Sequence, residues 1–181
     1  MSAVGQAPQP DRTVPTVHLI EGPVGAGKST YAGELAARTG GVHVALDAWF
    51  VRLFSPDRPA TDVMAWYLAR KQRLNDHIWH HALALRAAGV TPILELGLVQ
   101  RQMRLDFYRR AQDAGVDLQV HLLEASRALR RARVAQRNAD QGPTFAMAVP
   151  DAIFELASDA WEEPDAQERA AHRMIRVSTG G

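Results

Sequence analysis

The segment Gly22-Pro23-Val24-Gly25-Ala26-Gly27-Lys28-Ser29 has the spacing G-x-x-x-x-G-K-[ST], and no other feature restricts the fold of this chain as much. Such a segment curls until its backbone N–H groups converge on phosphate oxygens, and it works only between a strand and the first turn of a helix. Both neighbours fit. Thr16-Val17-His18-Leu19-Ile20 is a short β-rich run, and Thr30 to Arg38 is helix-compatible, with Tyr31, Leu35 and Ala36 on one side. The expected phosphate cradle is therefore Gly22, Pro23, Val24, Gly25, Ala26, Gly27, Lys28, Ser29 and Thr30. Lys28 brings a point charge for the outer phosphates, the Ser29 hydroxyl suits Mg²⁺, and the positive end of the helix faces the anion.

A repeated grammar follows the loop. Helix-like stretches end in glycine and β-rich runs begin at once: Gly40-Gly41 before Val42–Leu46, Gly89 before Val90–Leu96, and Gly115 before Val116–Leu123. Glycine suits the left-handed residue that closes a helix. Met174-Ile175-Arg176-Val177 reads as a last strand. Strands alternating with helices imply parallel βαβ units, so the fold class is α/β: a five-stranded parallel sheet with helices on both faces. A long helix is expected over about Thr61 to Ala88, where Met64, Tyr67, Leu68, Leu74, Ile78, Ala82 and Leu85 form one apolar stripe.

The 181 residues suit one domain, residues 16–181, behind a Pro- and Gln-rich leader over 1–15 that reads as disordered. A net charge of +1 supplies no global field toward nucleic acid or a membrane. The chain has no cysteine, which excludes disulfides and thiol nucleophiles and is compatible with a reducing compartment. No apolar run reaches the roughly 20 residues that span a bilayer. A cytoplasmic protein is the expectation. Its basic residues are nineteen arginines and only two lysines, Lys28 and Lys71.

Three features bear on where a phosphoryl group would go. Asp47 directly follows the strand Val42–Leu46, on the sheet edge that carries the loop, where it could accept a proton from an attacking hydroxyl, hold Mg²⁺ through water, or cap the helix Ala48–Leu53. Glu95 closes Thr91-Pro92-Ile93-Leu94, at the place of an acid that orients water on Mg²⁺, and competes with Asp47 for the role of base. Arg127, Arg130, Arg131, Arg133 and Arg137 cover an arc of roughly 160° of a helix. No acid lies between Glu124 and Asp140, so the cluster lacks sequence-local partners. Most of it reads as a solvated face. Arg130, Arg133 or Arg137 suit a lid over about 125–150, closing on the charge of a transferring phosphoryl group. His77, His80 and His81 have helical spacing for a metal but no third-ligand pattern nearby. Arg52, Arg101 and Arg104 could grip an anionic substrate or be plain surface.

On Gly22–Ser29, the Leu46-Asp47-Ala48-Trp49-Phe50 turn, Leu94-Glu95-Leu96-Gly97-Leu98 and Arg130-Arg131-Ala132-Arg133-Val134-Ala135-Gln136-Arg137-Asn138, the chain resembles the small bacterial P-loop kinases grouped with zeta toxins, chloramphenicol phosphotransferase and the kinase domain of polynucleotide kinase. It looks closest to an AAA-domain-like branch of that group. The resemblance implies a nucleoside-kinase-like sheet of order 2-3-1-4-5, with ATP and Mg²⁺ as cofactors. In it Asp47 matches the hydroxyl-activating aspartate, Arg130 to Arg137 the lid, and Lys28 and Ser29 the phosphate and Mg²⁺ residues. The metal set would be Ser29, Asp47 and Glu95. The expected activity is ATP-dependent transfer of a phosphoryl group to a hydroxyl of a small molecule. A kinase of polynucleotide ends or nucleotide-sugars, and a regulatory ATPase that transfers nothing, are the alternatives.

Overall fold

A computed structural model of the chain describes residues 14–142 and 145–180. The leader expected over 1–15 lies outside the described residues as far as position 13. The first strand, β1 (Val17–Glu21), runs into the loop, and α1 (Lys28–Thr39) follows. Next come β2 (Val42–Ala45), α2 (Leu46–Phe54), a single 3-10 turn (Ser55–Asp57) and the long α3 (Val63–Ala87). They are followed by β3 (Pro92–Glu95), α4 (Arg101–Asp113), β4 (Leu118–Glu124) and α5 (Arg127–Asp140). Two short helices, α6 (Asp151–Asp159) and α7 (Ala166–Ala171), precede β5 (Met174–Ser178). The sheet order is β2-β3-β1-β4-β5, and every pair is parallel. The expected order and handing-over of strands to helices are those observed, and Gly40, Gly89 and Gly115 close their helices with φ of 65°, 81° and 61°.

Two apolar layers cover the sheet. On one face Val17, Leu19, Val44 and Leu94 pack against Leu74, Ile78 and Ala82 of α3 and Phe107 and Ala111 of α4. On the other, Ile20, Ile93 and Leu123 pack against Ala32 and Leu35 of α1. Parallel strands buried on both faces read as the near-continuous apolar runs seen here. The alternation of strand residues matters for the site: Ile93 and Glu95 share the α1 face, whereas Leu19 and Glu21 share the other. The expected apolar stripe of α3 holds at Tyr67 and from Leu74 onward. Met64 and Leu68 are more than half exposed, because the first turns of α3 pack on α2, where Phe50 meets Trp66 edge to face at 5.7 Å and the tilted Tyr67 ring at 4.9 Å.

A polar cluster is buried at the tip of β1. Arg104, fully buried, donates through Nε and Nη2 to Glu168 at 2.6 and 3.0 Å, and its guanidinium lies 5.2 Å from the Trp161 ring. Arg101 also leans on α7 and its start, toward Asp165 and Glu168 at 3.5 and 3.7 Å. Both arginines are thus tied to the C-terminal segment rather than free to hold a substrate. Glu21 shares this cavity with one carboxyl oxygen lacking any partner. Burial pushes its carboxyl up to about 8, against the pull of Arg104 and Lys28. One buried cation faces two buried acids, and Arg104 is already matched by Glu168. Glu21 therefore keeps its proton near neutrality.

That assignment has a measurable consequence. Below the unfolded value of about 4.5 both states hold the Glu21 proton, and nothing is lost. As pH rises from there to about 8, the unfolded chain releases it while the folded chain keeps it, so stability falls. A neutral isostere escapes that penalty. Glu21→Gln is expected to gain on the order of 3 kcal/mol over the native chain at pH 7 and little at pH 4.5. Thermal melts of both proteins at the two pH values measure it, and an equal gap at both would contradict a protonated Glu21.

Candidate active site

The loop between β1 and α1 is built by close approaches that only glycine permits. Gly22 (φ 144°) would place a Cβ 2.7 Å from the Leu123 carbonyl oxygen, and Gly25 (φ 78°) one 2.6 Å from the Arg130 carbonyl oxygen. Gly25 is an unspecified position of the G-x-x-x-x-G-K-S spacing, yet the packing of α5 against the loop needs it as much. The Lys28 ammonium donates to the carbonyls of Gly22 and Pro23 at 2.9 and 3.0 Å, so it lies across the mouth of the cradle. Gly25, Gly27, Lys28, Ser29 and Thr30 line a cleft of about 460 Å³ with Tyr31, Glu95, Arg133, Arg137 and Thr179. Pro23, Val24 and Ala26 face elsewhere: Ala26 is fully buried, and the Val24 carbonyl accepts from Arg130 at 2.9 Å.

The two strand-tip acids stand on neighbouring strands. Ser29 Oγ donates to Glu95 Oε1 at 3.1 Å, and His43 Nε2 lies 3.1 Å from Oε2. Burial pushes the Glu95 carboxyl up, but the His43 hydrogen bond, Lys28 and Ser29 together hold it below the usual range. Glu95 is ionised. Asp47 sits in the first turn of α2, which begins directly at the end of β2 with Ala45 at its N-cap and no side-chain cap. Asp47 therefore does not cap the helix; its carboxyl is reached by solvent but hemmed in by protein. That desolvation, reinforced by the charge of Glu95, raises its proton affinity, with Lys71, Lys28 and Arg137 pulling the other way. Asp47, Glu95, Lys28 and Arg137 thus share one electrostatic neighbourhood.

The arginines of α5 divide by what they touch. Arg127 and Arg131 pair with acids of α6: Arg127 with Glu155 and with Asp159 (2.7 Å), Arg131 with Glu155 and with Asp151 (3.3 Å). The cluster that looks uncompensated in the sequence finds its partners some twenty to thirty residues on. Arg130 is buried behind the loop, where it donates to Val24 O and to Ser158 Oγ at 2.9 and 3.0 Å with Phe154 beneath it. It braces the cradle from the side opposite the cleft. Arg133 and Arg137 do line the cleft. Arg133 is held by the hydroxyl and carbonyl of Thr179, while the Nε of Arg137 is buried without a partner. The segment after α5 is pinned at its base, since the Asn138 amide exchanges two hydrogen bonds with Val149 backbone at 2.8 and 3.1 Å.

Four contributors have no signature in the sequence. Thr179, just past β5, donates from its hydroxyl to Ala26 O at 3.0 Å and ties the last strand to the loop. His43 orients Glu95. Tyr67 and Lys71 of α3 lie within electrostatic reach of Asp47. The lysine count hinted at Lys71, and the aromatic set Trp49, Phe50, Trp66 and Tyr67 could be read either as core or as the lining of an acceptor pocket near Asp47. The histidines of α3 do not gather: among the described residues no three His or acidic side chains form a metal-holding cluster, and His77 and His81 flank the Trp49 ring at 6.3 and 5.6 Å. The Ser29 hydroxyl hydrogen-bonded to an ionised Glu95 does fit Mg²⁺, a hard cation that leans on one or two protein oxygens and takes the rest from phosphates and water.

With loop, strand-tip acids and sheet order in place, the kinship of the chain can be tested. A family described as an AAA domain matches residues 17–164. The chain belongs to that AAA-domain family. Among curated proteins none matches. Solved structures align over nearly the whole fold. A gluconokinase from Sinorhizobium meliloti superposes with a TM-score of 0.57 at 20% identity, covering 91% of this chain and 83% of that one. Chaetomium thermophilum Kti12, in complex with ADP-AlF3, gives 0.62 at 16% identity, covering 90% and 89%. The APS kinase CysC of Mycobacterium tuberculosis, in complex with AMPPNP and APS, gives 0.57 at 14%, covering 91% and 88%. At these identities the likeness is one of fold: the AAA-domain chain has the P-loop architecture that these proteins share. No helix among the described residues is long and apolar enough to cross a membrane.

Proposed function

We propose that this AAA-domain chain is an ATP-dependent phosphotransferase that moves the γ-phosphoryl group of ATP to a hydroxyl of a small molecule. The observation that carries this reading is the placement of two strand-tip acids beside one phosphate cradle: Glu95 accepts from Ser29 at 3.1 Å inside the cleft, and Asp47 stands just past the tip of the neighbouring strand. The charge of Glu95 works against ionisation of Asp47, and carboxyls tuned apart mark an acid–base division of labour. Asp47 receives the acceptor's proton, and Glu95 keeps its charge for the metal side. The complex of the similarly folded APS kinase with AMPPNP is in keeping with a nucleotide in the cleft.

The chain's own groups then divide the work of alignment and charge cancellation, which is most of what phosphoryl transfer asks of a protein. The loop amides and Lys28 hold the β- and γ-phosphates once Lys28 leaves the Gly22 and Pro23 carbonyls. Ser29, with Glu95 and Asp47, would hold Mg²⁺, which supplies neutralisation of phosphate charge when bound. Arg137, with its unpartnered Nε, and Arg133 face the γ-phosphoryl position, while Arg130 keeps the loop in shape from behind. A cytoplasmic setting, where ATP and Mg²⁺ are abundant, belongs to the same proposal. An end kinase for nucleic acids draws less support, because Arg127 and Arg131 are neutralised by α6 instead of forming a free basic track.

Titration calorimetry and turnover on Lys28→Ala test the nucleotide half. The variant is expected to lose ATP binding or turnover, and unchanged affinity and turnover would overturn the site assignment. A screen of hydroxylated compounds for ATP-dependent mass gain of one phosphate, beside an acceptor-free control, tests the transfer half.

A further inference from the structure

Outside the nucleotide cleft, the most informative surface is the wall that α3 presents to Asp47. Tyr67, Lys71 and Asn75 recur at i, i+4 and i+8, so they form one row along the helix. Phe50 stands one turn after Asp47 on α2 and packs on the Tyr67 ring at 4.9 Å, which turns this row toward Asp47. Each member has unused polar capacity. The Lys71 ammonium lies 5.9 Å from the Tyr67 ring and, among the described residues, has no carboxylate within 4 Å. On the same row, Asn75 Oδ1 is buried with no donor. Buried polar atoms without partners are costly, and an ammonium without a carboxylate one turn from such an atom marks a place for a ligand's polar groups.

The charge of the wall narrows the ligand. Between Leu46 and Asn75 the chain carries Arg52, Arg58, Arg70, Lys71 and Arg73 against Asp47, Asp57 and Asp62. Arg70 is stacked over Trp66 at 4.6 Å and Arg73 donates to its own helix at Ala69 O, 3.3 Å away. Lys71 alone of these is drawn toward Asp47: burial lowers its proton affinity and the Asp47 carboxylate restores part of it. Lys71 and Asp47 are coupled electrostatically without forming an ion pair, which leaves the ammonium available to the anionic group of an acceptor.

We propose that Lys71 is the acceptor-anion residue of this site, and that the acceptor is a hydroxylated anion, with a carboxylate or phosphate ester on Lys71 and a neighbouring hydroxyl turned to Asp47. The inference rests on the phosphotransferase reading and names its substrate class. The acceptor hydroxyl oxygen forms a bond to the γ-phosphorus as the bond from that phosphorus to the β,γ-bridging oxygen breaks. The bridging electron pair leaves with ADP, and the hydroxyl proton passes to the Asp47 carboxylate. A compact ammonium suits this place better than a guanidinium fork, since it can hold one anionic oxygen and still shift with the ligand.

The test uses the full chain, ATP and Mg²⁺ with three matched sets of probes: hydroxy acids of three to six carbons such as glycerate, the corresponding neutral polyols such as glycerol, and the corresponding polyol phosphates. Phosphate gain by a hydroxy acid or a polyol phosphate, but not by the polyol, supports the proposal and tells the two anion sources apart. In Lys71→Met the KM for the anionic acceptor rises on the order of 10- to 100-fold with kcat changed far less, and Lys71→Arg, which keeps the charge but not the compact shape, recovers part of the loss. Thermal melts of both variants serve as the folding control. Transfer to neutral polyols as good as to the anions, or a KM unmoved in Lys71→Met, overturns the role of Lys71 and leaves the phosphotransferase reading standing. ATP bound tightly with no phosphate gained by any probe counts against both.

Discussion

Asp47→Asn keeps the fold and the nucleotide affinity and lowers phosphoryl transfer on the order of 10³-fold, the scale of a lost general base. The substitution preserves volume and planarity at the start of α2, removes the site that takes the proton and leaves a neutral amide oxygen toward Mg²⁺. Lys28, Ser29 and Glu95 remain to hold nucleotide, so ATP affinity reports the cradle separately from the chemistry. The pH profile adds a second check. Burial and the nearby Glu95 charge raise the Asp47 proton affinity, so the acid limb of kcat/KM lies above the ordinary aspartate range and disappears from the residual rate of the variant. Single-turnover transfer to any acceptor found in the screen measures both. Full transfer in Asp47→Asn would move the base to Glu95, and a limb at the ordinary aspartate value would remove the argument from desolvation.

Arg104→Leu is expected to cost about 3–5 kcal/mol of stability, enough to lower the melting temperature by about 10 °C or prevent folding at 37 °C. Arg104 has no exposed surface, and it makes both hydrogen bonds of a forked pair with Glu168 while stacking against Trp161. Removing it strands the Glu168 carboxylate beside Glu21 in a cavity that water does not reach. The partner variant separates charge from packing. Arg104→Leu combined with Glu168→Leu deletes both charges, and replacing a whole buried pair by apolar groups is often near neutral. The double variant is expected to recover most of the loss in a denaturant titration. A double variant as unstable as the single one would show that packing against Trp161, not charge pairing, holds α4 to α7.

How much of this was open to a reader of the residues alone depended on how local each cause is. The cradle, the glycine-ended helices and the five strands depend on neighbours in sequence, and the family match over residues 17–164 and the sheet order agree with what those neighbours imply. Asp47 and Glu95 could be placed at strand tips because a parallel sheet puts every strand's carboxyl end on one edge. The arginines were another matter. All eight singled out lacked sequence-local partners, yet Arg104 pairs across 64 positions, Arg127 across 28 and Arg130 reaches back 106 to Val24. Such partners are chosen by packing between distant elements, and no periodicity encodes them. Met64 and Leu68 fit a helical apolar stripe perfectly well and are nonetheless exposed; the period reveals a face, and only the length of the neighbouring sheet decides where that face stops being covered.

The chain assigns its positive charge to arginine nineteen times and to lysine twice, and both lysines stand around Asp47. Guanidinium groups do not acylate under mild conditions, whereas primary amines do. An amine-reactive probe, for instance a nucleotide carrying an acyl phosphate, would therefore mark side chains of this protein at the cleft and almost nowhere else. Protection of each lysine by nucleotide or by acceptor could be followed peptide by peptide, so that the two halves of the site are titrated separately in a single sample.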